Sequence, residues 1–161
     1  MTGVGKRAIL VLLGIFASVA AGGNVSTQRA DTKSVEDAVL AVSAEMTKAG
    51  EAADADRLFG YMLETDKGSV IQNGVLMATR QEALERVRTN LVGISRIQYR
   101  WKRQYVTVLS PEVAVLAAEG ESTATTTAGE TFTAPFAQTV VFVLRGGTWK
   151  AIHAHQSSPR R

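Results

Sequence analysis

The sequence predicts an α+β fold in which about three N-terminal helices are followed by a long antiparallel sheet that curls around them. Three observations point there. Apolar residues recur at helical spacing only before Gly93. After it, apolar and polar residues alternate over long stretches, the period of a strand with one buried face. Turn pairs such as Ser110-Pro111 and Gly146-Gly147 separate these stretches, so consecutive strands join as hairpins.

The first helix is carried by Val35, Ala38, Val39, Val42 and Met46, with Asp31, Thr32 and Ser34 as candidate caps and Gly50 as a stop. A shorter helix follows, capped by Asp54 and buried through Leu58, Phe59 and Met62. Asn73-Gly74 then lies between two apolar runs and marks a tight turn. Thr79-Arg-Gln-Glu82 has capping-box spacing, in which hydroxyl and carboxylate each satisfy a free backbone N–H, and it opens a third helix through Leu84, Val87 and Leu91.

Ile97, Tyr99 and Trp101 begin the first long strand, which runs to Ser110. Val113 to Thr125 forms the second. Phe132, Ala134, Phe136, Gln138, Val140, Phe142 and Leu144 share one face of the third, and "TWKAIHAHQSS" after Gly146-Gly147 forms the last. No internal repeat is visible.

A chain of 161 residues, 45% hydrophobic and 20% charged, fits one domain with a substantial core. Residues 1–21 read as a secretory signal peptide: Lys6 and Arg7 precede an apolar run from Ala8 to Ala21 with small residues at Ser18, Ala20 and Ala21. The run is shorter than the ~20 residues needed to span a bilayer. An exported (periplasmic or secreted) protein cleaved after Ala20 or Ala21, without a stable membrane anchor, is therefore expected. Cleavage would remove two of the 18 basic residues and none of the 15 acidic ones, taking the net charge from +3 to +1. That leaves little attraction for nucleic acid. Residues 22–31 read as a flexible leader, 32–158 as the domain and 159–161 as a basic tail. With no cysteine, disulfides, thiol catalysis and lipidation through an N-terminal cysteine are excluded. There is no phosphate loop, no dinucleotide fingerprint and no nucleophile elbow, and no cofactor is expected.

Three helices followed by a strand meander ending in Gly-x-Trp-Lys-x-x-His-x-His-x-Ser resemble the SnoaL-like, or nuclear transport factor 2-like, superfamily over Val35 to Ser157. The closing "GTWKAIHAHQSS" is especially similar to the end of the association (hub) domain of calcium/calmodulin-dependent protein kinase II and its bacterial relatives. The resemblance implies a cystatin-like fold, a cone-shaped curved sheet wrapped around its helices. It also implies a small-molecule ligand in the cone and a homodimer formed through the outer face of the sheet. It does not carry over the hub's arginine-lined anion pocket or its rings, because Thr139-Val140 precedes Val141-Phe142 and "AAEGEST" lacks arginine. One fold of this kind hosts isomerases, dehydratases, hydrolases and proteins that only bind.

Candidate proton-transfer groups are Asp66, His153 and His155. Asp66 lies between the second helix and the first strand, where the isomerase branch carries its general base, but no tyrosine stands in the first helix to supply that branch's oxyanion donor. His153 and His155, two apart on a strand, are expected on one face with Trp149 and Ala151. Imidazole titrates near neutrality and could move a proton; equally, the pair could be structural, bound to backbone or to Ser157. Zinc would need a third protein ligand that the sequence does not identify, so no metal site is expected. Tyr61, Tyr99, Trp101, Gln138 and Trp149 are candidate wall residues of a ligand pocket. Glu119 and Glu121 share a strand face and are expected to pair with Arg100, Lys102 or Arg103 on the outer face. The resulting expectation is an exported protein that binds a small, largely apolar molecule and self-associates. The alternative is a cofactor-free isomerase, dehydratase or hydrolase using His155 or Asp66.

Overall fold

The computed structural model describes residues 24–65 and 67–159, with side chains from residue 31 onward. Three helices, α1 (Asn24–Glu51), α2 (Ala55–Gly60) and α3 (Arg80–Leu91), precede and interleave with six strands: β1 (Val70–Gln72), β2 (Val75–Met77), β3 (Ile94–Ser110), β4 (Val113–Thr126), β5 (Thr131–Arg145) and β6 (Thr148–Ser157). The sheet order is β2-β1-β6-β5-β4-β3; every neighbouring pair is antiparallel except β1 with β6. No helix among the described residues is long and apolar enough to cross a membrane.

Local chemistry sets the element ends as the sequence anticipates. The Asp54 carboxylate accepts from the Arg57 N–H at 2.9 Å and starts α2. Thr79 Oγ1 accepts from the Glu82 N–H at 3.0 Å, while the Glu82 carboxylate reaches back to the Ala78 N–H at 2.8 Å, one residue beyond the usual capping box. Asn73 and Gly74 both take positive φ, 50° and 84°, as a two-residue hairpin turn between β1 and β2 requires.

α1 departs from expectation by starting at Asn24, so it runs back through most of the stretch expected as a flexible leader. That stretch has no apolar period, but it also has no Gly or Pro after residue 23. Extending an existing helix through such residues costs little compared with nucleating one.

The helices pack on the inner face of the sheet. Val39 of α1, Phe59 of α2 and Leu84 of α3 meet Leu116, Val140, Phe142 and Trp149 in one core. Phe142, Leu116 and Val39 are fully buried, and each side chain of that kind contributes roughly 1.5–3 kcal/mol through removal from water. At the β3 edge, the Glu51 carboxylate at the end of α1 accepts from the Tyr99 backbone N–H at 3.0 Å. This satisfies a donor that no further strand reaches.

Three of the long strands depart from simple alternation or depend on a close approach. In β3 the partners step from Trp101↔Gly120 to Arg103↔Glu119, leaving Lys102 as a bulge. Ile97, Tyr99 and Trp101 therefore face inward before it, and Val106 packs on the core after it. On β4, a Cβ added to Gly120 would lie 2.6 Å from the Arg100 carbonyl oxygen, so only glycine lets the bulge close. In β6 the partners step from Phe142↔Ala151 to Val141↔His153, leaving Ile152 unpaired.

Candidate functional site

Between the helices and the inner sheet face lies a cavity of about 350 Å³. α1 supplies Ser43, Met46, Thr47 and Gly50; α2 supplies Leu58 and Phe59; α3 supplies Val87, Asn90 and Leu91. The sheet side brings Tyr99, Trp101, Val140 and Phe142 together with three glutamines, Gln72, Gln138 and Gln156. Inward-facing alternation puts these side chains there, so the cavity is a direct product of strand register.

An aromatic corner shapes one wall. Tyr99 and Trp101 stack with ring centroids 6.2 Å apart, and Phe136 meets both edge-on, at 5.9 and 5.2 Å. The Tyr99 ring lies so close to α1 that a Cβ on Gly50 would come within 3.1 Å of it. Burial, with the Glu51 carboxylate adding to it, pushes the Tyr99 phenol above its ordinary range. The phenol therefore stays neutral and can donate a hydrogen bond.

Among the described lining residues there is no Asp, Glu, Lys, Arg or His. The polar groups that remain are amides, the hydroxyls of Ser43 and Thr47, the Tyr99 phenol and the Trp101 indole N–H. Gln72 donates from Nε2 to Oε1 of Gln156 at 2.6 Å, across paired positions of β1 and β6.

The sequence candidates divide between the two sides of the sheet. Tyr99, Trp101 and Gln138 line the cavity. Trp149 is core rather than wall, 8% exposed among the helices' apolar contacts. Tyr61 lies outside the cavity lining, with Lys150 Nζ 5.8 Å above its ring and bonded to the Gly60 carbonyl at 2.6 Å. Asp66 lies outside the described residues.

The histidines need a correction of facing. They do not share a face with Trp149 and Ala151, because the Ile152 bulge inverts the parity of everything beyond it. Ala154 and Gln156 consequently line the cavity, and the histidines take the other side. His153 Nδ1 bonds the Gly68 carbonyl at 2.6 Å, tying β6 to the loop before β1. His155 is exposed in an open groove of about 520 Å³ on the outer face, with Tyr105, Ala117, Ala137 and Thr139. The structure thus brings neither histidine to the cavity.

The expected ion pairs are on that outer face. Glu121 meets Arg100 and, at 2.7 Å, Lys102; Glu119 meets Arg103 at 2.8 Å. Hydrogen bonds from Lys102 and Arg100 hold the Glu121 carboxyl below its usual range.

A family model of the SnoaL-like domain matches residues 39–161. The chain belongs to the SnoaL-like domain family. A search of curated proteins finds no match. Among solved structures, this SnoaL-like domain is similar to a protein from Streptomyces avermitilis assigned as a dehydratase of the nuclear transport factor 2-like family. The TM-score is 0.72 at 16% identity, covering 81% of this chain and 99% of that one. It is also similar to a protein from Xanthomonas campestris assigned as a calcium/calmodulin dependent protein kinase II association domain, with TM-score 0.67 at 18% identity over 76% and 86% of the two chains. A third structure, from Caulobacter vibrioides and described as having a cystatin-like fold, gives TM-score 0.65 at 19% identity over 78% and 89%. At these identities the likeness is one of fold, and it agrees with the cone of strands expected for the SnoaL-like domain.

Proposed function

We propose that this SnoaL-like protein is exported, holds a small, largely apolar molecule in its cone, and pairs with a second copy through the outer sheet face, without catalysing a reaction. The observation that carries the reading is the cavity itself. Its volume of about 350 Å³ falls in the range of ~300–1,000 Å³ typical of ligand pockets, and its wall is mainly apolar with a few convergent polar groups. Proton-transfer catalysis asks for a group that titrates near the working pH within hydrogen-bond reach of substrate. The described lining instead offers amides, hydroxyls, an indole N–H and a neutral phenol. Export is supported by the signal-peptide pattern of residues 1–21, and pairing by the open groove on the outer face, where Ala117, Ala137 and Thr139 lie between larger side chains such as Tyr105 and His155.

A second reading, a cofactor-free isomerase, dehydratase or hydrolase, draws support from the dehydratase assigned to the Streptomyces avermitilis fold. With His155 across the sheet from the cavity, that reading rests on Asp66. The test is to purify the protein from its source and identify co-purifying small molecules by mass spectrometry. The binding reading expects one apolar compound in near-stoichiometric amount, recovered unchanged after incubation. Conversion of that compound by the parent, lost in Asp66→Asn, would establish the enzyme instead.

A further inference from the structure

Three glutamines stand at one level of the cone wall. Gln138 on β5 pairs with Gln156 on β6, and Gln156 pairs with Gln72 on β1, so the amides sit side by side at the strand spacing of ~4.8 Å. All three line the cavity and are half-buried. One bond joins Gln72 to Gln156 at 2.6 Å. The Gln138 amide makes no side-chain hydrogen bond among the described residues. Since a primary amide offers two N–H donors and a carbonyl acceptor, the row keeps both donors and acceptors in reserve along the cavity.

Two classes of occupant fit this wall poorly. An ion would lose its hydration and meet no opposite charge among the described lining residues. A pure hydrocarbon would strip water from Gln138 and return no partner to its amide. A neutral molecule presenting a donor beside an acceptor avoids both penalties.

We infer that the glutamine row is the polar recognition element of the cavity, selecting an uncharged, mainly apolar molecule with one amide-like edge over the matching carboxylate or hydrocarbon. The inference rests on the reading of the cone as a binding cavity. Gln138 is the free member of the row and therefore its most sensitive position, while Tyr99 and Trp101, backed by buried Phe136, supply flat apolar surface for the remainder of the ligand.

Isothermal titration of the protein with 2-naphthamide, 2-naphthoate and 2-methylnaphthalene separates the possibilities, because the three share one ring system. The amide is expected to bind at least about tenfold tighter than the carboxylate. Gln138→Met, close to glutamine in length, is expected to weaken the amide about five- to tenfold while changing methylnaphthalene by less than about twofold. Retained methylnaphthalene binding also reports that the variant is folded; should Gln138→Met fail to fold, Gln138→Asn carries the same comparison with the amide withdrawn. Equal affinity for amide and carboxylate, or an amide affinity indifferent to position 138 while methylnaphthalene still binds, overturns the selective role and leaves the cavity reading standing. Absence of binding by all three probes overturns both.

Discussion

Trp101 on β3 stands directly across from Gly120 on β4, a pairing that depends on the absence of a side chain at Gly120. The Lys102 bulge brings the Arg100 carbonyl so close that even a methyl group collides with backbone. Gly120→Ala is accordingly expected to cost about 1–3 kcal/mol, the usual penalty of overpacking. Urea unfolding measures it, and Trp101 fluorescence should shift in the same variant. An unchanged midpoint would show that the two strands part at no cost.

Trp149 anchors the start of the final strand in the core. Truncation to Ala should remove ~3–5 kcal/mol, a large share of the ~5–15 kcal/mol that holds a domain together. A Trp149→Ala protein melting like the parent would contradict its place among the core residues.

The two histidines should behave differently despite being two residues apart. His153→Ala gives up the bond to the Gly68 carbonyl and should lower stability by about 0.5–1.5 kcal/mol. His155→Gln, exposed on the outer face, should stay within ~0.5 kcal/mol of the parent and leave ligand affinity unaltered. Loss of ligand binding in His155→Gln would count against the cavity as the binding site.

Tyr99 makes a pH-dependent prediction. Its folded-state pKa is raised above the ordinary 10.0, chiefly by burial and then by Glu51. In the unfolded chain the phenol loses its proton near pH 10 while the folded protein still holds it. The associated stability is therefore complete below that pH and falls as pH climbs from there toward the folded pKa. As pH rises from neutrality into the alkaline range where the free phenol ionises, Tyr99→Phe should lose less stability than the parent. Identical pH profiles for the two proteins would refute the buried, neutral phenol.

For assembly, Ala117, Ala137 and Thr139 leave the middle of the outer groove low, with exposed Tyr105 beside them. Light scattering at micromolar concentration should give twice the chain mass for the parent and a single chain mass for Ala137→Arg, which puts a bulky charge in that groove. A monomeric parent would end the proposal that this face pairs.

Most of the fold was legible because its elements follow one period for their whole length. β5 is the clearest instance: Phe136, Gln138, Val140 and Phe142 all face inward, as simple alternation requires. The errors sit where alternation breaks. In "AIHAH" two apolar residues, Ala151 and Ile152, stand in succession, and in "WKRQ" two charged ones, Lys102 and Arg103, do the same. Each doublet contains its bulge residue, Ile152 or Lys102. Such doublets are the local signal that could have placed the histidines correctly. Of the cavity's glutamines, only Gln138 was found. Gln72 lies in a three-residue strand and Gln156 beyond a bulge, so neither announces its facing without the partner strand. α1's early start was illegible for a related reason, since a polar helix end has no apolar stripe to betray it.

The surplus residues, Lys102 with Ser95 and Leu109 in β3 and Ile152 in β6, also determine where the chain can tolerate a change of length. Removing Ile152 would leave Ala151 inward, His153 outward and Ala154 and Gln156 inward, the facing they have now, because the bulge already absorbs one residue. Removing Lys102 would likewise keep Trp101 inward and Arg103 outward. A deletion of one residue within the unbroken pairing of β4 with β5, at Ala137 for example, has no such slack and would exchange the contents of the two sheet faces beyond it. Single-codon losses should therefore be harmless to the cavity at the bulge residues and ruinous in the unbroken pairing of β4 with β5, which makes these bulges the natural points at which homologous strands of unequal length can be brought into alignment.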